Sequence, residues 1–233
     1  MKTHIDHLIV AAQTLDQGVQ WCEATLGITP AAGGAHPQYG THNRLFKIAT
    51  PGHPMAYLEI IAIDPAATPT ASGKRWFDLD DAVLQAAIAK EPQLVHFVVG
   101  TTDIRAALAA LQAQGLDRGP ALVASRPSAD GLLQWQISVR EDGQRLFNGA
   151  LPSVIQWGAS RDREPLRRHP RNSLPRSKVS LDRIAITHPE ADKLKAAYAA
   201  LGLTGIDITA GEADLAATLH TPKGVVTLHS RGV

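Results

Sequence analysis

Three stretches of the chain share one pattern of apolar and polar positions. In each, alternating residues typical of a strand are followed by apolar residues at helical spacing, and the helical pattern ends at a glycine. The stretches are IDHLIVAAQTLDQGVQWCEATLG (5–27), LVHFVVGTTDIRAALAALQAQG (94–115) and LDRIAITHPEADKLKAAYAALG (181–202). Their starts recur about every 90 residues, longer than the repeat of solenoid proteins, so each is predicted to open a module with its own sheet.

The segments after each predicted helix add strands that complete a βαβββ order. In the first module, residues 33–40 (GGAHPQYG) have turn chemistry, and residues 41–49 and 55–63 are predicted strands. The second module is predicted to have a helix over 102–114 and strands over 93–100, 121–126, 132–141 and 153–158. The third is predicted to have a helix over 189–201 and strands over 179–187, 206–209, 214–221 and 225–230.

This order predicts the α+β class, with two paired βαβββ modules forming a cleft and a third, degenerate module. Residues 1–158 hold the first two modules (1–64 and 92–158), joined by a connector (65–91). Residues 159–178 are rich in arginine and proline and are predicted to be a solvated linker to the third module (179–233). The alternative for this linker is a phosphate-binding arm made of Arg163, Arg167, Arg168 and Arg171.

Composition and charge narrow the class of protein. The 233 residues are 44% hydrophobic and 19% charged, as in ordinary globular proteins. A formal net charge of +1 supplies no strong field, so nucleic acid is not predicted as a partner. The single cysteine, Cys22, prevents an intrachain disulfide and fits a reducing compartment. No apolar run is long enough to cross a membrane, so we expect a cytoplasmic enzyme or binding protein.

Four polar side chains stand at positions that the repeat makes equivalent. His7 and His96 lie on the opening strands of the first two modules, and Glu59 and Gln156 lie on the closing strands. A strand histidine by itself is more often structural than a ligand, but the repeated positions favour a shared site. If the two modules face each other, the four side chains converge, and this mixed set suits a divalent metal such as Fe, Mn, Ni, Co or Zn.

The faces of the strands predict the surroundings of this site. Alternation in the first strand puts Ile5 and His7 on one face and Asp6 on the other. A carboxylate in the apolar run MAYLEIIAI is costly to bury without a partner or metal, which makes Glu59 the most informative residue of its module. The candidates for substrate binding are His42, Asn43, Arg44, Tyr57 and Trp135, and Trp76 is either a lid or an anchor of the connector.

The third module lacks these polar positions. Arg183 stands where the histidines stand, and Thr227 is predicted to stand where Glu59 and Gln156 stand, so this module is expected to be metal-free. Its sheet needs a partner, which is either the outside of the first two modules or the third module of a second chain in a homodimer.

The segments DHLIV around His7, YLEII around Glu59, VHFVV around His96 and VIQW around Gln156 resemble the vicinal oxygen chelate superfamily, and within it the glyoxalase-like domain proteins. The resemblance implies a half-open barrel built from paired βαβββ modules. It also implies a divalent metal held by these four side chains, and in an isomerase a proton-shuttling role for Glu59. Gln156 departs from the pattern, because many relatives have glutamate there.

The leading prediction is a metal-dependent lyase or isomerase that acts on a small substrate chelated through neighbouring oxygens. An extradiol-type dioxygenase could use the two histidines and one carboxylate to hold ferrous iron. A non-catalytic small-molecule binding or resistance protein needs a large aromatic cleft, against which the aromatic content of 5% argues mildly. A structural scaffold that assembles through the third module is a further class.

Overall fold

A computed structural model describes residues 3–67, 74–128, 131–158 and 164–233. These residues form two sheets and five α-helices. The strands are β1 (His4–Ala11), β2 (Ala31–His36), β3 (Thr41–Lys47), β4 (Tyr57–Ile63), β5 (Gln93–Gly100), β6 (Ala121–Ser128), β7 (Gly131–Ser138), β8 (Ser153–Trp157), β9 (Ser180–Thr187), β10 (Ile206–Thr209), β11 (Asp214–Thr221) and β12 (Gly224–His229). The helices are α1 (Leu15–Leu26), α2 (Ala82–Lys90), α3 (Ile104–Gln112), α4 (Pro170–Ser173) and α5 (Ala191–Leu201).

The larger sheet joins the first two modules in the order β2-β3-β4-β1-β5-β8-β7-β6. Each module places its first strand parallel to its last, and the two first strands, β1 and β5, pair in antiparallel fashion at the centre. The sheet curls until its edge strands approach each other: a Cβ added to Gly34 of β2 would lie 2.4 Å from Nη1 of Arg126 on β6. The predicted fold class, paired βαβββ modules around a half-open cleft, is confirmed.

The edge strand β2 was not predicted, because residues 33–36 were assigned to a turn. Two glycines let this strand run close to β3. A Cβ at Gly33 would lie 1.9 Å from Oδ1 of Asn43, and the Gly34 N–H donates a hydrogen bond to the same oxygen at 2.7 Å. The glycines therefore mark a close approach of two strands, and the turn is limited to residues 37–40.

The helix layer lies on the outer face of the larger sheet. Helix α1 begins at Thr14, whose side chain accepts a hydrogen bond from the Gln17 N–H at 3.1 Å, and ends at Gly27 with φ 75°. Its buried residues Cys22 and Leu26 pack in the same core as Leu8 of the sheet. Burial raises the pKa of the Cys22 thiol to about 12, which fits the prediction that this residue is part of the core and not a nucleophile.

Replacing Gly18 by alanine should lower the free energy of unfolding by about 1–2 kcal/mol. A Cβ at Gly18 would lie 2.4 Å from Cγ2 of the fully buried Ile60, so the Ile60 side chain or the helix must shift, and this cost outweighs the better helix propensity of alanine. Urea unfolding of both proteins measures the change. The exposed Gln20→Ala of the same helix is the control, and we expect it to shift stability by less than about 0.5 kcal/mol. Equal stability of Gly18→Ala and the parent would contradict this packing.

The third module covers the helix layer of the first two. Its core residues Leu194 and Leu219 belong to the same apolar cluster as Leu8 and Ile60 of the larger sheet. The Tyr198 hydroxyl of α5 donates a hydrogen bond to the Ala150 carbonyl in the second module. Of the two arrangements predicted for the third sheet, the chain thus adopts packing against its own first modules, and a homodimer stays a prediction.

The smaller sheet has an unexpected strand order, β10-β9-β11-β12. Strand β10 pairs in parallel with β9, whereas in the other modules the parallel partner of the first strand is the last strand. Thr227 consequently lies on the edge strand β12, and it pairs with Thr218 of β11, which lies between it and Arg183. The prediction that Thr227 is equivalent to Glu59 is therefore wrong. Within the described ranges, no helix is long and apolar enough to span a membrane.

Candidate functional site

A small cavity with polar groups in its wall lies on the concave face of the larger sheet, opposite the layer of helices α1, α3 and α5. It has a volume of about 40 Å³, room for a few water molecules or the reactive end of a substrate. Its walls come from both modules, the connector and the linker: His7, His36, Asn43, Leu45, Tyr57, Glu59, Trp76, Phe77, Arg126, Trp135, Ile137, Ile155, Trp157 and Pro170. An outer chamber of about 250 Å³ adjoins it and shares His36, Trp76 and Trp135 with it.

Glu59 and His7 face each other in this cavity. Oε2 of Glu59 lies 3.6 Å from Nε2 of His7, and both side chains are about 95% buried. Oε1 of Glu59 accepts a hydrogen bond from Nδ2 of Asn43 at 2.5 Å. The His7 ring stacks on Tyr57 with 4.6 Å between ring centroids. Two of the predicted ligands are thus brought together, each held in place by a neighbour.

Asp6 completes the chain of polar groups behind His7. A β-bulge makes this possible, because Ile5 pairs with Val99 and His7 with Val98, so that Asp6 is an extra residue in β1. Oδ1 of Asp6 accepts a hydrogen bond from Nδ1 of His7 at 2.7 Å. Ile5 packs in the helix-side core, so the predicted alternation is wrong at this point. The bulge turns the Asp6 carboxylate to the same face of the sheet as His7.

The Asp6 carboxylate is fully buried and accepts two further hydrogen bonds at Oδ2. The donors are Nε1 of Trp157 at 2.8 Å and Nε2 of His169 at 3.1 Å. Burial by itself would raise the pKa of Asp6, but the nearby His169 and the hydrogen bonds from His169 and His7 outweigh it and hold that pKa far below the usual range. Asp6 is therefore ionised at neutral pH.

His169 was not predicted as a site residue. It lies in the arginine- and proline-rich linker, 163 positions from Asp6, and its side chain is fully buried against Trp157 and Tyr57. The next residue, Pro170, begins the short helix α4 and lines the cavity. The only signal in the sequence is one imidazole beside a proline in a strongly basic segment. No spacing rule connects such a residue to the first strand, and the linker turns out to seal one end of the cleft.

The arginines of the linker do not form the alternative phosphate-binding arm among the described residues. Arg167 lies 4.0 Å from Glu164, while Arg168 donates to the Leu132 carbonyl and Arg171 to the Asn172 side chain. Arg163, the fourth arginine of that prediction, lies outside the described residues.

His96 does not reach the cavity, contrary to the predicted convergence. Its Nδ1 donates a hydrogen bond to the Gly149 carbonyl at 2.8 Å, so Nε2 is the acceptor nitrogen of the neutral ring. Nε2 lies 3.1 Å from Nη2 of Arg118, 3.1 Å from the Ser153 N–H and 3.0 Å from the Ser153 hydroxyl. Both ring nitrogens of His96 thus already have hydrogen-bond partners. The buried guanidinium of Arg118 lies next to Nε2, the nitrogen that would have to bind a metal cation.

Gln156 points away from the cavity. In β8, Ile155 and Trp157 line the cleft, and Gln156 takes the opposite face, where its Oε1 accepts a hydrogen bond from the Ile104 N–H at 2.9 Å at the start of α3. The strand register identifies the true equivalent of Glu59. Ile9, two residues after His7, pairs with Glu59, and Val98, two residues after His96, pairs with Ser153. The predicted equivalence was therefore off by three residues in β8.

The predicted substrate-binding residues divide in the same way. Asn43, Tyr57 and Trp135 line the cavity, as does Trp76 of the connector. His42 and Arg44 alternate with Asn43 on β3 and do not line it. The prediction treated the three consecutive residues 42–44 together, but a strand offers only every second side chain to one face. Two further lining residues, His36 and Arg126, were not predicted, because β2 was missed and the face of β6 was not assigned.

The donors in the cavity do not fit the predicted divalent metal. Within the described ranges, no three His, Cys, Asp or Glu side chains are grouped closely enough to hold a metal ion. Of the four predicted ligands only His7 and Glu59 share the cavity, and the cationic Arg126 lines it as well. His36, the other imidazole there, has its pKa lowered to about 4, mainly by burial, despite the opposing effect of Glu59. The site thus has the chemistry of an acid–base centre.

Acidification below about pH 6.5 should lower the free energy of unfolding, and His96 should carry part of this loss. Burial, followed by the charge of Arg118, holds the pKa of His96 well below its usual value. The unfolded chain therefore binds more protons than the folded one, so the stability present above pH 6.5 is lost as the pH falls, by up to about 1.4 kcal/mol per pH unit for one histidine.

Urea unfolding at pH 7.5 and 5.5 measures this dependence. His96→Gln is expected to be less stable at pH 7.5 but to lose less on acidification than the parent. The exposed His220→Gln serves as the matched control and should keep the parental dependence. An unchanged pH dependence in His96→Gln would show that this ring does not titrate on unfolding.

The chain resembles one protein family in sequence and several solved structures in fold. The family model described as "Glyoxalase-like domain" matches residues 5–202. A solved structure of a hypothetical protein from Staphylococcus aureus is 18% identical with a TM-score of 0.62, over 91% of this chain and 87% of that chain. Search of the curated proteins gave no match.

Two methylmalonyl-CoA epimerase structures are more distant. That from Streptomyces coelicolor is 19% identical with a TM-score of 0.41, over 68% of this chain and 97% of that chain. That from Mycobacterium tuberculosis is 16% identical with a TM-score of 0.36, over 66% of this chain and 85% of that chain. At such identities the likeness to solved structures concerns the fold alone, and these two scores are too low to support an argument about function.

Proposed function

Because this chain belongs to the glyoxalase-like domain family, a branch of the vicinal oxygen chelate superfamily, we propose that it is an enzyme of the lyase or isomerase type that moves a proton on a small oxygenated substrate. Members of the superfamily often use divalent metals. The donors in this cavity do not fit a metal, so the proposal assigns the chemistry to side chains of the chain itself.

The observation that carries the proposal is the line of groups Asp6, His7 and Glu59. The distances are 2.7 Å from Asp6 to His7 Nδ1 and 3.6 Å from His7 Nε2 to Glu59 Oε2. An ionised carboxylate only accepts hydrogen bonds, so Nδ1 of His7 carries the proton that Asp6 receives. In the neutral ring Nε2 is then an acceptor that faces another acceptor, Glu59. The two acceptors can therefore take up one additional proton and share it as a hydrogen bond between Nε2 and Oε2.

This arrangement suits the removal of a proton from carbon beside a carbonyl group. Glu59 Oε2 takes the proton, and Nε2 of His7 then shares it or receives it from Glu59. The resulting imidazolium lies against the ionised Asp6, which stabilises its charge. Asn43 holds the other oxygen of Glu59 and so fixes the direction of the base. Return of the proton to the same or a neighbouring atom gives isomerisation, and loss of a leaving group from the anion gives a lyase reaction.

Solvent deuterium exchange tests the proposal even while the natural substrate is unidentified. The protein is incubated in D₂O with small 2-oxo acids, 2-hydroxy ketones and hydroxy acids, and NMR follows loss of the signal from hydrogen on the carbon next to the oxygenated group. We expect exchange above the uncatalysed rate for at least one class, with the same rate after the protein has been treated with a chelator. Exchange in none of these classes would refute proton transfer, and exchange lost on chelation would refute its independence of metal.

A second candidate, a small-molecule binding or resistance protein, is favoured by one observation. Tyr39 and Trp76 stack at 4.2 Å between centroids and line the outer chamber together with Trp135. Such a chamber suits an apolar ligand even if no reaction follows. Tight binding of an apolar compound with no exchange in any compound class would support this candidate. For the extradiol dioxygenase, the predicted second histidine, His96, does not line the cavity, and none of the contacts described above favours this reaction.

A further inference from the structure

The cavity contains one cation that the proposed proton transfer leaves without a fixed role. Arg126 projects from the edge strand β6 into the inner cavity, close to the backbone of Gly34 on the opposite edge strand β2. It therefore spans the opening of the curled sheet. Among the residues that the structure describes, no carboxylate or other acceptor pairs with its guanidinium.

An unpaired guanidinium in a partly buried pocket is suited to an anionic ligand. Its planar set of donors matches a carboxylate in a two-point contact, and this contact is stronger than one between neutral groups. The charge of Arg126 is felt inside the site, where it opposes protonation of His36 and favours ionisation of the Tyr57 hydroxyl, although burial has the larger effect on both pKa values. The pocket thus combines a base with a positive anchor.

The two cavities suit different parts of a ligand: the inner cavity suits a polar end, and the outer chamber suits an apolar end. The inner cavity, at about 40 Å³, has room only for a few atoms beside Glu59 and His7. The outer chamber, at about 250 Å³, has walls that include Tyr39, Trp76, Trp135 and the exposed Val123. His36, Trp76 and Trp135 line both, so the two cavities adjoin each other. An acid without a side group would leave the outer chamber empty.

We propose that the substrate is a monocarboxylic acid with an oxygenated carbon beside the acid and an apolar or aromatic side group. Arg126 binds the carboxylate, the side group lies between the aromatic walls of the outer chamber, and the carbon that carries the mobile hydrogen lies at Glu59. This substrate class rests on the proposed function for its reactive carbon, while the binding mode rests on Arg126 and the outer chamber alone.

Binding of three simple probes separates the two contacts. Phenylpyruvate has both the acid and the ring, phenylacetone lacks the acid, and pyruvate lacks the ring. Titration calorimetry with the full chain should show phenylpyruvate bound about 10- to 100-fold more tightly than phenylacetone, the factor expected for one charged hydrogen-bonded contact. Pyruvate should also bind more weakly than phenylpyruvate, because it leaves the aromatic chamber empty.

Variants of the cation identify the residue. Arg126→Gln should remove the preference for phenylpyruvate over phenylacetone and keep the affinity for phenylacetone, and Arg126→Lys should restore part of the preference. Arg105→Gln, at an exposed position of α3, is the matched control and should behave like the parent. If phenylacetone and phenylpyruvate bind equally to the parent, or Arg126→Gln keeps the preference, the proposal is overturned.

Comparing these titrations with the deuterium exchange of the parent protein distinguishes this inference from the proposed function. Acid-selective binding that depends on Arg126, without deuterium exchange in the parent, would leave the binding mode standing and remove the enzyme. Deuterium exchange that does not depend on a carboxylate in the substrate would support the proposed enzyme and refute the binding of the acid by Arg126.

Discussion

Replacing Glu59 by glutamine should lower the rate of deuterium exchange or turnover by about 10²- to 10⁴-fold, the range that a positioned general base contributes. Glutamine has the shape of glutamate and still offers an oxygen to Nδ2 of Asn43. It cannot take a proton at neutral pH, and its amide nitrogen would face Nε2 of His7 across the 3.6 Å gap. The loss should therefore fall on the chemical step, with kcat reduced and substrate binding largely kept.

Two measurements separate this outcome from a damaged fold. Urea unfolding should give Glu59→Gln a stability within about 1 kcal/mol of the parent, since one hydrogen bond is replaced by another. Glu212→Gln, an exposed position of the third module, is the matched control and should keep full activity. A Glu59→Gln protein that turns over at the parental rate would remove Glu59 from the reaction.

Replacing Asp6 by asparagine should lower the free energy of unfolding by about 3–5 kcal/mol, as is typical when one member of a buried charged network is removed. Asp6 accepts hydrogen bonds from His7, Trp157 and His169 and donates none. An asparagine offers one oxygen, and its NH₂ group would face N–H donors for which the described residues provide no other acceptor. Those buried donors then lose their partners, which accounts for most of the loss.

The measurement is again urea unfolding, with Asp207→Asn at an exposed position of β10 as the control for the same chemical change. The control should lie within about 0.5 kcal/mol of the parent. Activity should also fall, because His7 loses the carboxylate that fixes its orientation. A stability loss of Asp6→Asn no larger than that of the control would mean that the three donors do not depend on this carboxylate.

The repeat in the sequence predicts the architecture because strands and helices each have a regular local pattern of apolar residues. Alternation and helical spacing locate most strands and helices, and the equivalence of the modules predicts their pairing. His7 and Glu59 share the cavity because the register from β1 to β4 is regular: Tyr57 lies beside His7, and Glu59 lies two residues further on the same face. A regular strand pair makes such an inference reliable.

The second half of the site was not predictable in this way, since irregularities decide it. A second β-bulge makes Val95 an extra residue, because Ile9 pairs with His96 but Val10 with Leu94. The segment before β8 then passes close to this bulge, where Gly149 (φ 85°) would bring a Cβ to 2.0 Å from the Val95 carbonyl oxygen. The spacing of apolar residues in the sequence does not show where a bulge or a long irregular connection shifts the register of a strand. His96 became an acceptor in a buried network for reasons that only the packing reveals.

The contact between Asp6 and His169 links the first strand to a residue that the ribosome adds 163 positions later. Synthesis proceeds from the N-terminus, and both modules of the larger sheet are complete in the nascent chain before this imidazole emerges. Until then the carboxylate lacks one of its three donors, and Pro170 has not yet closed that end of the cleft. The order of translation therefore makes the reactive pocket the last part of the first two modules to mature, and a chain released after residue 158 would hold the sheet without a finished site.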